Sequence, residues 1–432
     1  HIILIKHKVK EIAPMKKKIC IVGLGYIGLP TATMFSCYGH KVIGVDVNEK
    51  VVNNINKGKI IIEEPNLEEL VEDVVKKGNL IASISPKESD VFIISVPTPI
   101  KDDKTSDMSY VISATKSIVK YLKEGNIVVL ESTSPVGTTE EVVKPIIEES
   151  GLKVGRDIML GYCPERVIPG KIIYELKSND RVIGGIDKKS AEEIRKIYKT
   201  IVDGNIYLTD CKTAELCKLM ENTYRDVNIA LSNELLLICD KLNINVWEVI
   251  EYSNKHPRVN LHTPGPGVGG HCLAVDPWFI IEKEPELSNI IKSSRLLNDS
   301  MPEYVYNKID KILQKDKSKK ITILGITYKA NTDDMRESPI IKLIDKLLKN
   351  NYNVKVFDPY IKDFQINCQS ILEACKDSDL LILGVNHDYF KNLPLDEIKT
   401  TMKGNLILDT RNFLDKEEVE KSGFIYKLLG SN

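Results

Sequence analysis

The sequence lacks a surplus of charge of either sign. Its 432 residues carry 60 basic and 61 acidic side chains. No overall field therefore draws in DNA, RNA or an anionic membrane, and a small-molecule ligand is the better expectation. Long apolar runs are missing too. None approaches the roughly 20 residues of a membrane span, and the opening HIILI is too short for a secretory signal. The nine cysteines include no C-x-x-C pair. That disfavours disulfide and zinc frameworks and points to reduced thiols in a cytoplasmic protein without a metal. At about 150 residues per domain, the length predicts three domains. Residues 1–14 read as an appendage, with Met15 the initiator, because an apolar strand follows at once.

KKICIVGLGYIGLPTATMFSCYGHKVIGVDVN, residues 17–48, reads as strand, glycine turn, helix and strand. Gly23, Gly25 and Gly28 form G-x-G-x-x-G: the first makes the tight turn, the second admits a pyrophosphate, the third lets helix and strand pack closely. Asp46 closes the second strand, where a carboxylate accepts from ribose hydroxyls and repels a 2′-phosphate. The order of these features points to NAD; a glycine turn used only for packing is the plainer alternative. Strands at SDVFIISV (89–96) and GNIVVLEST (125–133) end in Val96-Pro97-Thr98 and Ser132-Thr133. Ligands in open α/β sheets sit beyond the carboxyl ends of strands, so these residues are expected to line the cofactor crevice, with turn chemistry as the alternative for Pro97 and Ser132.

The second half repeats the first in outline. KKITILGITYK, YNVKVFDPY, SDLLILGV and GNLILDTRN echo four strands of the first half in the same order. The fold class expected is α/β, with two Rossmann-like doubly wound domains joined by a long central helix. The second domain keeps one loop glycine, Gly325, and is not expected to hold a dinucleotide in the same manner. Residues 213–242 have apolar positions at helical spacing and no glycine or proline, which predicts the long helix, either a dimer surface or an ordinary core helix.

GPGVGGHCLAVDPW, residues 265–278, places Cys272 behind a run of glycines. Glycine lets backbone approach a ligand closely, so Cys272 is the candidate nucleophile. Cys163, with no such setting, is the weaker rival. Lys218 and Asn222 stand four apart on one helix face, where both could reach an oxyanion or simply be solvated. Glu165, after Pro164, is a general base or an exposed turn residue. Asp276, followed by proline, could be an acid/base group, a helix N-cap, or both.

GLGYIGLP, SVPTP, ESTSPVGTT, CPERVIPG, AELCKLMENTYRDVNIALSNEL, HPRVNLHTPGPGVGGHCLAVDP, GITYKANTDDMRESP and LILDTRN together resemble the nucleotide-sugar 6-dehydrogenases, from Lys17 over nearly the whole chain. The resemblance implies an NAD-binding domain at 15–205, a helical dimerisation domain at 206–300 and a UDP-sugar-binding domain at 316–432. It implies a homodimer or tetramer, and two successive oxidations at the sugar's C6 by way of a thiohemiacetal and thioester on Cys272. Lys218 and Asn222 match the positions that stabilise the oxyanion; Asp276 and Glu165 match the acid/base positions, with Thr133 aiding the hydrolytic water. On the cofactor side the resemblance adds Tyr26, Ile27, Lys50 and Arg336. For the substrate it adds Arg166, Val167, Arg225, His256, Gly269, His271, Tyr328, Lys329 and Arg411, and Arg258 reaching into the neighbouring subunit's site. His271 and the Leu273-Ala274-Val275 and Pro277-Trp278 surroundings resemble the N-acetylmannosamine branch, with UDP-N-acetylglucosamine and UDP-glucose as alternatives. A single-step β-hydroxyacid dehydrogenase is the alternative from another class.

Overall fold

The computed structural model describes residues 16–62 and 64–431; the reading of residues 1–14 as an appendage, and of Met15 as initiator, lies outside them. The chain divides into two compact units, one ending at Leu219 and the other beginning at Met220.

In the first unit β1 (Lys18–Val22), β2 (Lys41–Val45), β3 (Leu80–Ser83), β4 (Val91–Ile94), β5 (Ile127–Leu130), β6 (Met159–Tyr162), β7 (Arg181–Gly185) and β8 (Ile206–Asp210) form one sheet in the order 3-2-1-4-5-6-7-8. The first six strands have the dinucleotide-binding order. β7 then runs antiparallel to β6, and β8 is parallel to β7. The central strands β4 and β5 are apolar and buried at every position because helices cover both faces. Ile19 and Ile21 of β1 pack in one layer with Leu29 and Phe35, while Cys20 and Val22 pack in the other with Phe92 and Ile94. The sequence signal was weakest at β3 and β8, edge strands with partly exposed side chains.

The second unit holds β9 (Lys320–Leu324), β10 (Asn353–Phe357), β11 (Leu380–Leu383), β12 (Leu406–Asp409) and β13 (Ile425–Leu428), in the order 10-9-11-12-13. All pairs are parallel. This is the shorter doubly wound order, 2-1-3-4-5. Leu236 and Cys239 of the long helix, Cys211–Leu242, share one core with Met301, Val305 and Ile309 of the helix Asn289–Ile312 and with Ile321 and Ile323 of β9.

The two sheets repeat each other down to single hydrogen bonds. Gly23 has a φ of 99° and donates to Val45 O at 2.8 Å; Gly325 has a φ of 83° and donates to Phe357 O at 2.9 Å. Asp46 Oδ2 accepts from Leu24 N and its Oδ1 from Asn48 N; Asp358 Oδ2 accepts from Ile326 N and its Oδ1 from Tyr360 N. The copies part at the ligand side. Asp358 is buried and also contacts His387 Nε2 at 3.1 Å. Thr327, in the place of Gly25, is buried and lies 3.3 Å from the same nitrogen.

The long helix turns its faces in an unusual way. At about 100° per residue, the buried Asn222, Asp226 and Asn233 lie within about 40° of one another. The exposed Met220, Tyr224, Leu231, Ile238 and Leu242 lie about 160° to 200° away from Asn222. Buried polar groups thus share the inner side with the buried Leu219, Ala230 and Leu236, while an apolar stripe faces outward, which an ordinary surface helix does not show.

Candidate active site

At the carboxyl ends of β1, β4 and β5 the first unit builds a loop cradle. A Cβ on Gly23 would stand 2.3 Å from Ser95 O, and one on Gly28 would stand 1.8 Å from Gly23 O, so both glycines are required for close packing. A Cβ on Gly25 would meet nothing within 4 Å. That open space is where a pyrophosphate would approach the helix Gly28–Cys37, whose first amides face it. Asp46 is half-buried at the end of β2. Tyr26 and Ile27 lie partly exposed on the same loop. Lys50 is exposed, and its amide donates to the N-cap Asn48 at 3.0 Å.

Ser132 is more structural than its expected place in the crevice suggested. Its Oγ accepts from Val96 N at 2.9 Å and donates to Val96 O at 2.8 Å, tying the ends of β4 and β5 together. Thr98 Oγ1 donates to Thr133 O at 2.6 Å across the same gap, and Pro97 is exposed between them.

Glu165 is buried rather than an exposed turn residue. Its Oε1 accepts from Arg166 N and its Oε2 from the buried Arg181, each at 2.7 Å. Arg166 Nη1 donates to Asp180 O, and Val167 is partly buried beside it. Cys163 is fully buried, and burial pushes its thiol up to about 12, which removes its standing as a nucleophile. Glu131, Arg181 and Tyr198 complete this cluster and carried no sequence motif; Tyr198 donates to Glu131 Oε1 at 3.0 Å.

Burial, then the charge of Glu165, push the Glu131 carboxyl from an ordinary 4.5 up to about 7, against the pull of Arg181 and of the Tyr198 hydroxyl. The folded state therefore binds the proton more tightly than the unfolded chain. The associated stability is full below the unfolded value of 4.5 and is lost as pH rises through about 7. A melting temperature followed from about pH 5 to pH 8 should fall less steeply in Glu131→Gln than in the wild type; parallel curves would refute this assignment.

In the second unit Cys272 sits half-buried in a turn, its carbonyl accepting from Val275 N at 3.0 Å and Asp276 N at 2.8 Å. The glycines before it are close-packed. A Cβ on Gly269 would stand 2.6 Å from Glu337 O, and one on Gly270 would stand 2.8 Å from the Tyr328 ring. Gly270 N donates to Arg336 O at 3.0 Å. The run thus lets residues 328–339 lie directly on the cysteine loop.

Asp276 is the first residue of the helix Asp276–Lys283, and the N-cap position belongs to Val275, one residue before the place the Asp-Pro alternative gave it. Its carboxylate is instead drawn sideways, accepting from Asn222 Nδ2 at 2.5 Å, and Asn222 Oδ1 accepts from Arg225. Asn222 is therefore a buried site residue. Lys218 precedes it by one helical turn and is half-exposed.

Arg336 donates to both carboxylate oxygens of Asp334, at 3.0 Å and 2.7 Å, and His271 Nδ1 lies 3.9 Å from the same group. Burial pushes the Asp334 carboxyl up, but the Arg336 hydrogen bonds and charge outweigh it and hold the group below its ordinary range. Burial, followed by the charges of Asp334 and Cys272, pushes the Tyr328 hydroxyl up. Arg411, half-buried, donates from Nε to Gly384 O at 3.0 Å, and its Nη1 lies 2.8 Å from where a Gly265 Cβ would be. Burial pulls its guanidinium down to about 10. Lys329 is exposed. His256 and Arg258 share an exposed turn, with Arg258 N donating to His256 Nδ1 at 3.3 Å. Sequence reasoning missed Asp226, Asn233, Arg295, Asn298 and Asp334. The available signal was polar residues standing in the core register of a helix: Arg295 and Asn298 precede Pro302, Val305 and Ile309 at three- and four-residue steps, all buried.

An open glycine cradle at a 3-2-1-4-5-6 sheet is the mark of a dinucleotide-binding protein. Residues 17–202 match the NAD binding domain, residues 212–300 the central domain and residues 322–416 the UDP binding domain of the UDP-glucose/GDP-mannose dehydrogenase family, and the chain belongs to that family. It is an NAD-dependent dehydrogenase of UDP-sugars. It is 49% identical over 420 residues to the UDP-N-acetyl-D-mannosamine dehydrogenase of Methanocaldococcus jannaschii, covering 96% of each chain. The solved UDP-N-acetyl-mannosamine dehydrogenase of Staphylococcus aureus is 46% identical, with a TM-score of 0.88 and coverage of 96% of this chain and 99% of that one. The UDP-D-ManNAc dehydrogenase structure from Pyrococcus horikoshii is 38% identical, with a TM-score of 0.90 and the same coverage. Among the described residues no helix is long and apolar enough to cross a membrane.

Proposed function

We propose that this chain oxidises the C6 hydroxyl of UDP-N-acetyl-D-mannosamine to the carboxylate in two steps. The observation that carries the reading is Cys272, half-buried on a close-packed glycine loop beside the Asn222–Asp276 pair. Gly23, Gly25, Gly28 and Asp46 would hold NAD, which would supply a fresh hydride acceptor for each of the two oxidations. In the first, the alcohol loses a hydride and its hydroxyl proton to become an aldehyde. The Cys272 thiolate then adds to the aldehyde carbon, a C–S bond forms, and the oxygen gains charge and then a proton. An amide nitrogen carries two hydrogens; Asn222 gives one to Asp276 and has the other for that oxygen, with Lys218 supplying positive charge. Loss of the second hydride, and of the hydroxyl proton, leaves a thioester. Water cleaves the C–S bond, with Glu165 and Thr133 proposed to orient it, and returns the thiol and a carboxylate.

His271 and the sequence around Cys272 favour the N-acetylmannosamine sugar, as do the relatives named above. Arg166, Val167, Arg225, Tyr328, Lys329, Arg336 and Arg411 are proposed to hold substrate or cofactor. A panel of UDP-N-acetylmannosamine, UDP-N-acetylglucosamine and UDP-glucose should give clear preference for the first, with two NADH per uronate. Better turnover of UDP-glucose would remove the substrate reading, and one NADH per substrate would favour a single-step β-hydroxyacid dehydrogenase.

The outward apolar stripe of the long helix supports a homodimer, in which the exposed Arg258 would reach the other subunit's sugar. A monomer in sedimentation at assay concentration would dismiss this. No disulfide joins any of the nine cysteines, which suits the proposed cytoplasmic setting.

A further inference from the structure

We propose that Arg295, with Asp226, Asn298 and Asn233, is the positioning frame of the Cys272 loop, fixing the nucleophile before substrate arrives. The proposal rests on the reading of Cys272 as nucleophile. Arg295 and Asp226 are both 0% exposed. Arg295 Nη1 donates to Asp226 Oδ1 and, at 3.2 Å, to the carbonyl of Leu273, the residue after the cysteine. Its Nη2 donates to Asp299 Oδ1 at 2.9 Å. Asn298 Nδ2 donates to Asp226 O at 3.0 Å and Oδ1 at 2.8 Å, and Asn298 Oδ1 accepts from Asn233 Nδ2 at 2.9 Å. Asn233 Oδ1 then accepts from Gly265 N at 2.9 Å. The network grips the glycine loop at both ends, Gly265 and Leu273, and hangs from the same helix face that presents Asn222 to Asp276.

Packing alone does not call for this arrangement. The same unit has a large apolar core, and burying ions costs several kcal/mol each, so a hydrophobic replacement would hold two helices together at least as well. Burial pushes the Asp226 carboxyl up to about 6 against the pull of the Arg295 charge. An apolar pair could not grip two separated backbone groups of a glycine-rich loop. A forked guanidinium and an asparagine can, with defined direction.

The test compares Arg295→Lys, which keeps a positive charge opposite Asp226 but lacks the fork, with Asn233→Leu, which releases Gly265 at the other end. In each, kcat should fall by up to about a hundredfold with the KM for NAD unchanged. The pH midpoint for alkylation of Cys272 by iodoacetamide, followed by peptide mass, should move upward. Both readouts are taken per folded molecule. Wild-type kcat and a wild-type alkylation profile in the folded variants, even with a lowered Tm, would overturn the proposal and leave a purely structural network. Failure of the nucleophile reading looks different: Cys272→Ala would keep making uronate, whatever the alkylation profiles of the other variants.

Discussion

Replacing Cys272 with alanine is expected to cut uronate formation by a thousandfold or more, on the order of other nucleophile deletions, while leaving the chain folded and NAD bound. The cofactor cradle of Gly23, Gly25 and Gly28 belongs to the first unit, and Cys272 to the second. An aldehyde gives up hydride poorly until something adds to its carbon, so the loss falls on the second oxidation. Slow conversion of alcohol to aldehyde can persist, with one NADH per substrate. With Cys272 intact, slowing hydrolysis with Glu165→Gln should allow a thioester on Cys272 to be caught by intact-protein mass. Uronate made at near the wild-type rate by Cys272→Ala would end the covalent mechanism, and Cys163, buried and poorly ionisable, could not take its place.

A second large effect is expected from alanine at two neighbouring glycines, with opposite signatures. At Gly28 the new methyl would stand 1.8 Å from the Gly23 carbonyl oxygen, which is backbone and cannot move aside cheaply. Gly28→Ala should therefore cost more than about 3 kcal/mol and lower Tm by roughly 6 to 12 °C. At Gly25 the methyl would enter open space, so Gly25→Ala should melt with the wild type. It should instead weaken NAD by about tenfold or more, because a charged ligand loses close backbone hydrogen bonds. Calorimetric melting and NAD titration of the two proteins distinguish the roles. Equal melting of both, or undisturbed NAD affinity in Gly25→Ala, would contradict the geometry.

Much of this was legible in the sequence because it is local. A glycine fingerprint, strands ending in small polar residues and an apolar helix without breakers are each contained in a short window, and the helix predicted at 213–242 is observed at Cys211–Leu242. What escaped depends on distant partners. The edge strands β3 and β8 have too few buried residues to leave a pattern. Asp-Pro read locally as a cap, yet Asp276 is drawn to Asn222, 54 residues away in the chain. Glu165 stayed open between a general base and an exposed turn residue because Arg181, its buried counterion, is 16 residues on. Arg295 and Asp226 look like solvated charges until two helices are seen facing each other.

The divergence of the two sheets sets a limit for protein engineers. Restoring glycines after Gly325 would copy the letters of the first loop without freeing its acid, since His387 would still lie 3.1 Å from the Asp358 carboxylate. Because His387 Nδ1 also accepts from Asn331 N at 2.8 Å, removing the imidazole would untie the following loop. Converting the second sheet to dinucleotide recognition is thus a redesign of its interior, whereas changing the nucleotide preference of the first is a matter of surface residues around Asp46.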